Sequence, residues 1–87
     1  MTLQILSTPG DQTAKLLKEA IERAIAGAEV EVATAGAGHF ELRVTAAGFA
    51  GQSRVAQQRI VYAAISHLMK GETAPVHAID KMEILVP

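Results

Sequence analysis

The sequence has 87 residues, a hydrophobic content of 49%, a net charge of −1 and no cysteine. This length suits a single domain over residues 1–87, with one core and no large enclosed pocket. The near-neutral charge argues against strong non-specific nucleic-acid binding, and the lack of cysteine excludes disulfides, thiol catalysis and thiolate ligands from this chain.

The first predicted element is a helix that begins near Pro9. Thr8 is a suitable N-cap, Pro9 suits the first helical position, and Asp11 stands where a capping-box acid belongs. Apolar residues then recur at helical spacing and predict one buried face: Leu16, Leu17, Ala20, Ile21, Ala24 and Ile25. Gly27 is typical of the position just after a helix, so we expect the helix to end before it.

Two strands follow, because the period of hydrophobicity changes to two after Ala28. The apolar positions alternate with charged or polar ones in both strands: Val30, Val32, Phe40, Leu42 and Val44. The segment 36–38, Gly-Ala-Gly, separates the strands. Two such strands around a short glycine-rich loop predict an antiparallel hairpin.

A second helix and a last strand complete the predicted elements. Ser53 is a suitable N-cap, and the apolar face of this helix is predicted to comprise Val61, Tyr62, Ala64, Ile65, Leu68 and Met69. Residues 71–75 end the helix, and residues 76–86 are rich in Val, Ile and Leu, as in a strand. A strand–helix–strand crossover of this length makes the joined strands parallel.

The predicted fold class is therefore α+β, in the order α-β-β-α-β, with a three-stranded mixed sheet and the helices on one face. Because aromatic residues make up only 3% of the chain, the core must be mainly aliphatic, with Phe40, Phe49 and Tyr62 as its bulky anchors. We expect the inward residues of the second strand to pack against the helices, in a core that contains Phe40, Leu42, Val44, Leu17, Ile21, Val61, Ile65 and Leu68.

Four segments between about residue 11 and residue 80 carry recognisable motifs. Residues 38–44, GHFELRV, consist of a small residue, His, Phe and alternating apolar positions. Residues 49–53, FAGQS, have the pattern F-x-G-x-S of a turn, residues 57–64, QQRIVYAA, belong to the second helix, and residues 76–79, VHAI, open the last strand. Together and in this order they resemble motifs of the BolA family, in its shorter branch, whose helix is usually close to R-H-R-x-V-Y and whose last strand opens with V-H-A-L.

The resemblance implies a fold similar to the type II KH domain, in the order α-β-β-α-α-β. It also implies a non-enzymatic adaptor that partners a monothiol glutaredoxin in iron–sulfur trafficking or in redox and stress regulation. In such a complex a [2Fe–2S] cluster is held by the partner's cysteine, a glutathione thiol and nitrogen ligands from the BolA-like protein. The implied ligands are His77, the histidine of the last motif, and His39, the only candidate in the hairpin loop.

The sequence departs from the family pattern at two places. Gln58 stands where a histidine is common, although the shorter branch often has two glutamines there. After Ile79 the usual lysine–threonine stretch and Trp-containing tail are absent, so the motif does not fix the register of the last strand beyond Ile79.

The chemistry of the three histidines allows several interpretations of whether each is a metal ligand. A cluster needs four ligands, usually thiolates, so a chain without cysteine must share it with a thiol-bearing partner. His77 is either a ligand or a solvated residue at a strand end, and His39 either ligates or follows glycines that only supply positive φ for the turn. His67 is expected to be an exposed helical residue.

The alternative function is a KH-like nucleic-acid-binding transcriptional regulator. Arg54, Gln58 and Arg59 form a mildly basic helix face that is either a partner surface or simply solvated. The pattern Gly48-x-x-Gly51 is similar to the KH loop that contacts a nucleotide backbone, but it precedes the helix and contains no Lys or Arg, so a turn is favoured. DNA binding is expected to be weak because the net charge is −1. We expect a monomer or weak homodimer, cytoplasmic, with no membrane partner.

Overall fold

The computed structural model describes residues 9–87. Its α-helices are α1 (Pro9–Ala24) and α2 (Arg54–Ile65), and its strands are β1 (Glu29–Thr34), β2 (His39–Thr45) and β3 (Ala78–Leu85). Two short 3₁₀ helices follow β2 and α2, at Ala47–Phe49 and Ser66–Leu68. The α+β class and the order of elements are therefore confirmed, and the second 3₁₀ helix occupies the place of the additional helix that the resemblance implied.

Local sequence signals fix where the helices begin. α1 begins at Pro9, where the fixed φ of proline suits the first helical turn, whereas the predicted cap at Thr8 lies outside the described residues. α2 begins after Ser53, whose Oγ accepts a hydrogen bond from the backbone N–H of Ala56 at 3.1 Å, as predicted. In residues 9–87, no helix combines the length and the hydrophobicity that crossing a membrane requires.

The three strands form one mixed sheet in the order β1-β2-β3. β1 pairs antiparallel with β2, which places Val30 opposite Val44, and β2 pairs parallel with β3. Both pairings were predicted. The last strand is shorter than expected, because Val76 is buried in the connection from α2 and its N–H bonds to the carbonyl of Leu68 at 3.1 Å.

The core lies between the helices and one face of the sheet. Phe40 and Leu42 are only 1% and 2% exposed, whereas Glu41 between them is exposed, so the predicted register of β2 is confirmed. Four of the helical residues that were expected to pack against β2 are buried, namely Leu17, Ile21, Val61 and Ile65, and the fifth, Leu68, is partly buried against the cluster. The buried core residues are Leu17, Ile21, Ile25, Val30, Phe40, Leu42, Val44, Ala46, Phe49, Val61, Ile65 and Val76.

Three predicted core positions are wrong. Leu16 and Tyr62 are 49% and 41% exposed, and Ala24 is exposed as well. In a helix each residue is rotated about 100° from the one before it, so a neighbour of a fully buried residue can face solvent. Tyr62 is turned outward beside Val61, and Ile60 instead of Tyr62 widens the buried face of α2. Phe40 and Phe49 are thus the aromatic residues of the core.

The opposite face of the sheet is polar and carries a charged group that spans all three strands. Arg43 of β2 bonds through its Nε–H to the carboxylate of Glu83 on β3, and its Nη1 lies 3.2 Å from Oε2 of Glu31 on β1. The hydrogen bond to Glu83, together with the negative charges of Glu83 and Glu31, raises the pKa of Arg43 above its ordinary value. The guanidinium is therefore already occupied by two carboxylates.

Candidate functional site

One edge of the sheet collects the two histidines that the sequence singled out. Because β2 and β3 are parallel, their first residues meet at the same edge, where His39 pairs with Ala78. His77 directly precedes Ala78, so both predicted ligands lie at this edge. We refer to Gly38, His39, His77 and Asp80 together as the histidine edge.

Gly38 joins the hairpin to β3 and lets the ring of His77 lie against the backbone. Its carbonyl accepts hydrogen bonds from the N–H groups of His77 at 2.8 Å and Ala78 at 3.2 Å. A β-carbon at Gly38 would lie only 2.8 Å from Cγ of His77, so the ring packs directly over the glycine. Gly36 and Gly38 have the predicted positive φ, of +118° and +74°, but only Gly38 also allows this close approach.

His39 belongs to the sheet and not to the hairpin loop in which the sequence analysis placed it. It is the first residue of β2, its N–H bonds to the carbonyl of Gly36 at 3.0 Å, and its carbonyl accepts from Ala35 at 2.8 Å. The turn closes before His39 because the glycines take the left-handed conformations that it requires. These hydrogen bonds fix the backbone of His39, whereas its side chain is 45% exposed and the ring remains accessible.

Asp80 is a member of the site that sequence reasoning missed. Phe40 pairs with Ile79 but Glu41 pairs with Lys81, so Asp80 is an extra residue at a bulge in β3. Its Oδ1 lies 2.9 Å from Nδ1 of His39.

The signal for this bulge is present in the sequence. The inward-facing residues Ile79 and Met82 are three positions apart, whereas an uninterrupted strand requires an even spacing. One extra residue must therefore lie between them. The bulge also settles the register that the family motif left open after Ile79.

The histidine edge fits a shared metal centre better than a site built from this chain alone. Its donor set consists of two imidazoles, which are suitable nitrogen ligands for iron. Within residues 9–87, no group of three or more His, Asp or Glu side chains is arranged to hold a metal ion. His67 lies elsewhere, exposed in the 3₁₀ helix Ser66–Leu68, as the sequence predicted.

The predicted surface of Arg54, Gln58 and Arg59 is not one continuous face. Arg54 and Gln58 line a groove of about 280 Å³ between α2 and β3, with Gln57, Met82 and Ile84. Arg59 is exposed but does not line this groove, because five helical positions rotate it about 140° from Arg54. The Gln57 side chain is already hydrogen-bonded within the chain, since its Nε2 donates to the carbonyl of Phe49 at 2.9 Å.

We expect DNA affinity to be weak at physiological salt, with a shallow salt dependence. The chain has eight Lys and Arg against nine Asp and Glu, and Arg43 is paired with two carboxylates, so few cations are available to displace counterions. Fluorescence anisotropy of a labelled duplex, titrated between about 50 and 200 mM salt, measures both quantities. Sub-micromolar binding with a steep slope that is lost in the double variant Arg54→Ala, Arg59→Ala would contradict this prediction.

The fold and the histidine edge define a small α+β domain that presents imidazoles at an open end of a mixed sheet. The chain belongs to the family described as BolA-like protein, whose model matches residues 13–83. The resemblance found in the sequence is thereby confirmed. No curated protein sequence gives a significant match.

Solved BolA structures share this fold. BolA1 from Mus musculus has a TM-score of 0.72 at 23% identity and covers 100% of this chain and 75% of its own. The BolA domain of SufE1 from Arabidopsis thaliana has a TM-score of 0.71 at 23% identity, covering 95% and 96%. A BolA homologue from Coxiella burnetii has a TM-score of 0.69 at 25% identity, covering 95% and 94%. The similarity to a type II KH domain stays a prediction.

Proposed function

We propose that this BolA-like protein is a non-enzymatic adaptor that supplies histidine ligands to a [2Fe–2S] cluster shared with a monothiol glutaredoxin. The observation that carries the proposal is the placement of His39 and His77 at one edge of the sheet. His77 is exposed and His39 is 45% exposed, so a partner can approach both rings. The family membership and the imidazole donors support the same role.

The composition requires the site to be shared. A [2Fe–2S] cluster takes four ligands, and thiolates are the usual ones. Because this chain has no cysteine, the thiolates come from the glutaredoxin cysteine and from glutathione. When bound, the cluster supplies one-electron chemistry and transferable iron and sulfide.

The contribution of this chain is to fix where the two histidine ligands lie. The N–H of His77 is held by the carbonyl of Gly38, and the backbone of His39 is held by the hairpin, so the backbone of neither ligand has to be ordered when the partner arrives. This arrangement suits an adaptor that completes a partner's site, in iron–sulfur trafficking or in redox and stress regulation, because a preorganised ligand pair lowers the cost of assembly.

Mixing the chain with a monothiol glutaredoxin, glutathione, iron and sulfide should give a heterocomplex with a visible spectrum distinct from that of the glutaredoxin alone. Two imidazoles in place of two thiolates change the charge-transfer bands of the cluster. Size-exclusion chromatography with visible circular dichroism measures assembly and ligation together. His67→Ala is the matched control and should leave both unchanged, because His67 lies outside the histidine edge. Separate elution of the two proteins, each with its own spectrum, would contradict the proposal.

A further inference from the structure

The bulge in β3 carries a carboxylate that lies at the histidine edge. The ladder between β2 and β3 is in register at Phe40 and Ile79, and it resumes at Glu41 and Lys81. Asp80, the inserted residue, is released from the position opposite Glu41, and its carboxylate reaches His39 at the strand start. Bulges commonly redirect a side chain beside a functional site.

The contact is made through one particular ring nitrogen. Oδ1 of Asp80 lies 2.9 Å from Nδ1 of His39, which is hydrogen-bonding distance. A carboxylate only accepts hydrogen bonds, so Nδ1 must carry the proton, and in the neutral ring Nε2 then keeps its lone pair. The lone pair is the group that a metal requires, and it lies on the side of the imidazole away from Nδ1.

We propose that Asp80 is a positioning residue that holds His39 in the Nδ1–H tautomer and directs Nε2 toward the metal. The role that we assign to this contact rests on the proposed function, whereas the contact is present in the structure. Metal-binding histidines generally donate their second ring N–H to such an oxygen, which fixes the orientation of the ring. Asp80 touches His39 and acts through it, so it is not itself a ligand.

Folding stability does not explain the pair. The side chains of His39 and Asp80 are 45% and 41% exposed, and ion pairs this accessible to water contribute little to the stability of a fold. The orientation of a ring at a ligand site is sensitive to a single hydrogen bond even where stability is not. Removing the carboxylate should therefore change the tautomer and the ring orientation of His39 and leave the fold intact.

Nitrogen-15 NMR of the isolated protein tests the tautomer without any cluster. Two-bond proton–nitrogen correlations, recorded at about pH 9 where an ordinary imidazole is neutral, identify the protonated ring nitrogen. We expect His39 to be Nδ1–H in the native chain and to lose this preference in Asp80→Ala. Asp80→Asn keeps an acceptor oxygen and should retain the tautomer, and His77 should be unaffected in both variants.

Cluster retention in the heterocomplex gives the second readout. Asp80→Ala should weaken it about 10- to 100-fold, as loss of such a partner usually does, and Asp80→Asn should recover most of the loss. A His39 ring that is Nε2–H in the native chain, or unchanged in Asp80→Ala, overturns the positioning role even if the complex forms. An Asp80-dependent tautomer in a chain that forms no cluster complex supports the Asp80 contact and overturns the proposed function instead.

Discussion

His77→Ala should abolish most of the cluster's visible circular dichroism in the heterocomplex, whereas His39→Ala should only weaken or shift it. The chain has three histidines and no cysteine, and His67 lies outside the histidine edge, so no further imidazole or thiolate there can replace His77. His77 is exposed and its ring packs over Gly38, whereas His39 is only partly exposed. The more accessible ring should therefore contribute more to ligation.

The two variants should fold normally, because neither imidazole belongs to the core. Far-ultraviolet circular dichroism and the free energy of unfolding provide the folding controls, and His67→Ala provides the matched histidine control. The expected difference does not depend on a mobile loop, because His39 is the first residue of β2. A folded His77→Ala protein with an unchanged cluster signal would show that His77 is not a ligand.

Much of the fold followed from periodicity. Alternation with period two placed Phe40 and Leu42 inward, and capping chemistry placed the start of α2 after Ser53. The rotation of each helix was less certain, because a stripe of apolar residues two positions wide does not say which of its borders faces the sheet. Leu16 and Tyr62 were misplaced for that reason, and only the packing of α1, α2 and the sheet decides it.

The candidate ligands His39 and His77 were implied by the family motifs, and the topology of the sheet brings them to one edge. The crossover predicted that β2 and β3 are parallel, and this pairing brings His39 and His77 to one edge. Asp80 was not predicted, because a bulge is a property of the pair of strands, although the odd spacing of Ile79 and Met82 indicates it. The predicted surface of Arg54, Gln58 and Arg59 stays a prediction, and only Arg54 and Gln58 of the three line the groove between α2 and β3.

Gly38→Ala should displace the ring of His77 and reduce cluster retention, while costing about 1–2 kcal/mol of stability from the left-handed backbone. Gly38 has a φ of +74°, and its added β-carbon would lie 2.8 Å from Cγ, 3.0 Å from Nδ1 and 3.1 Å from Cδ2 of His77. Ordinary contact begins at 3.4 Å, so a shift of about 0.6 Å is needed to restore it. Ligand geometry tolerates about 0.5 Å, so this shift is enough to disturb ligation.

Gly27→Ala is the matched control for backbone strain. Gly27 has nearly the same φ, +71°, but an added β-carbon meets nothing within 4 Å. The Gly27→Ala variant should therefore show a similar decrease in the free energy of unfolding and leave the cluster signal unchanged. Denaturant unfolding measures the shared cost, and NMR shifts of the His77 ring with visible circular dichroism measure the contact. In a His77→Ala background, Gly38→Ala should cost only the strain, which a double-mutant cycle isolates. Equal cluster signals in Gly38→Ala and Gly27→Ala would mean that the His77 ring does not depend on the glycine beneath it.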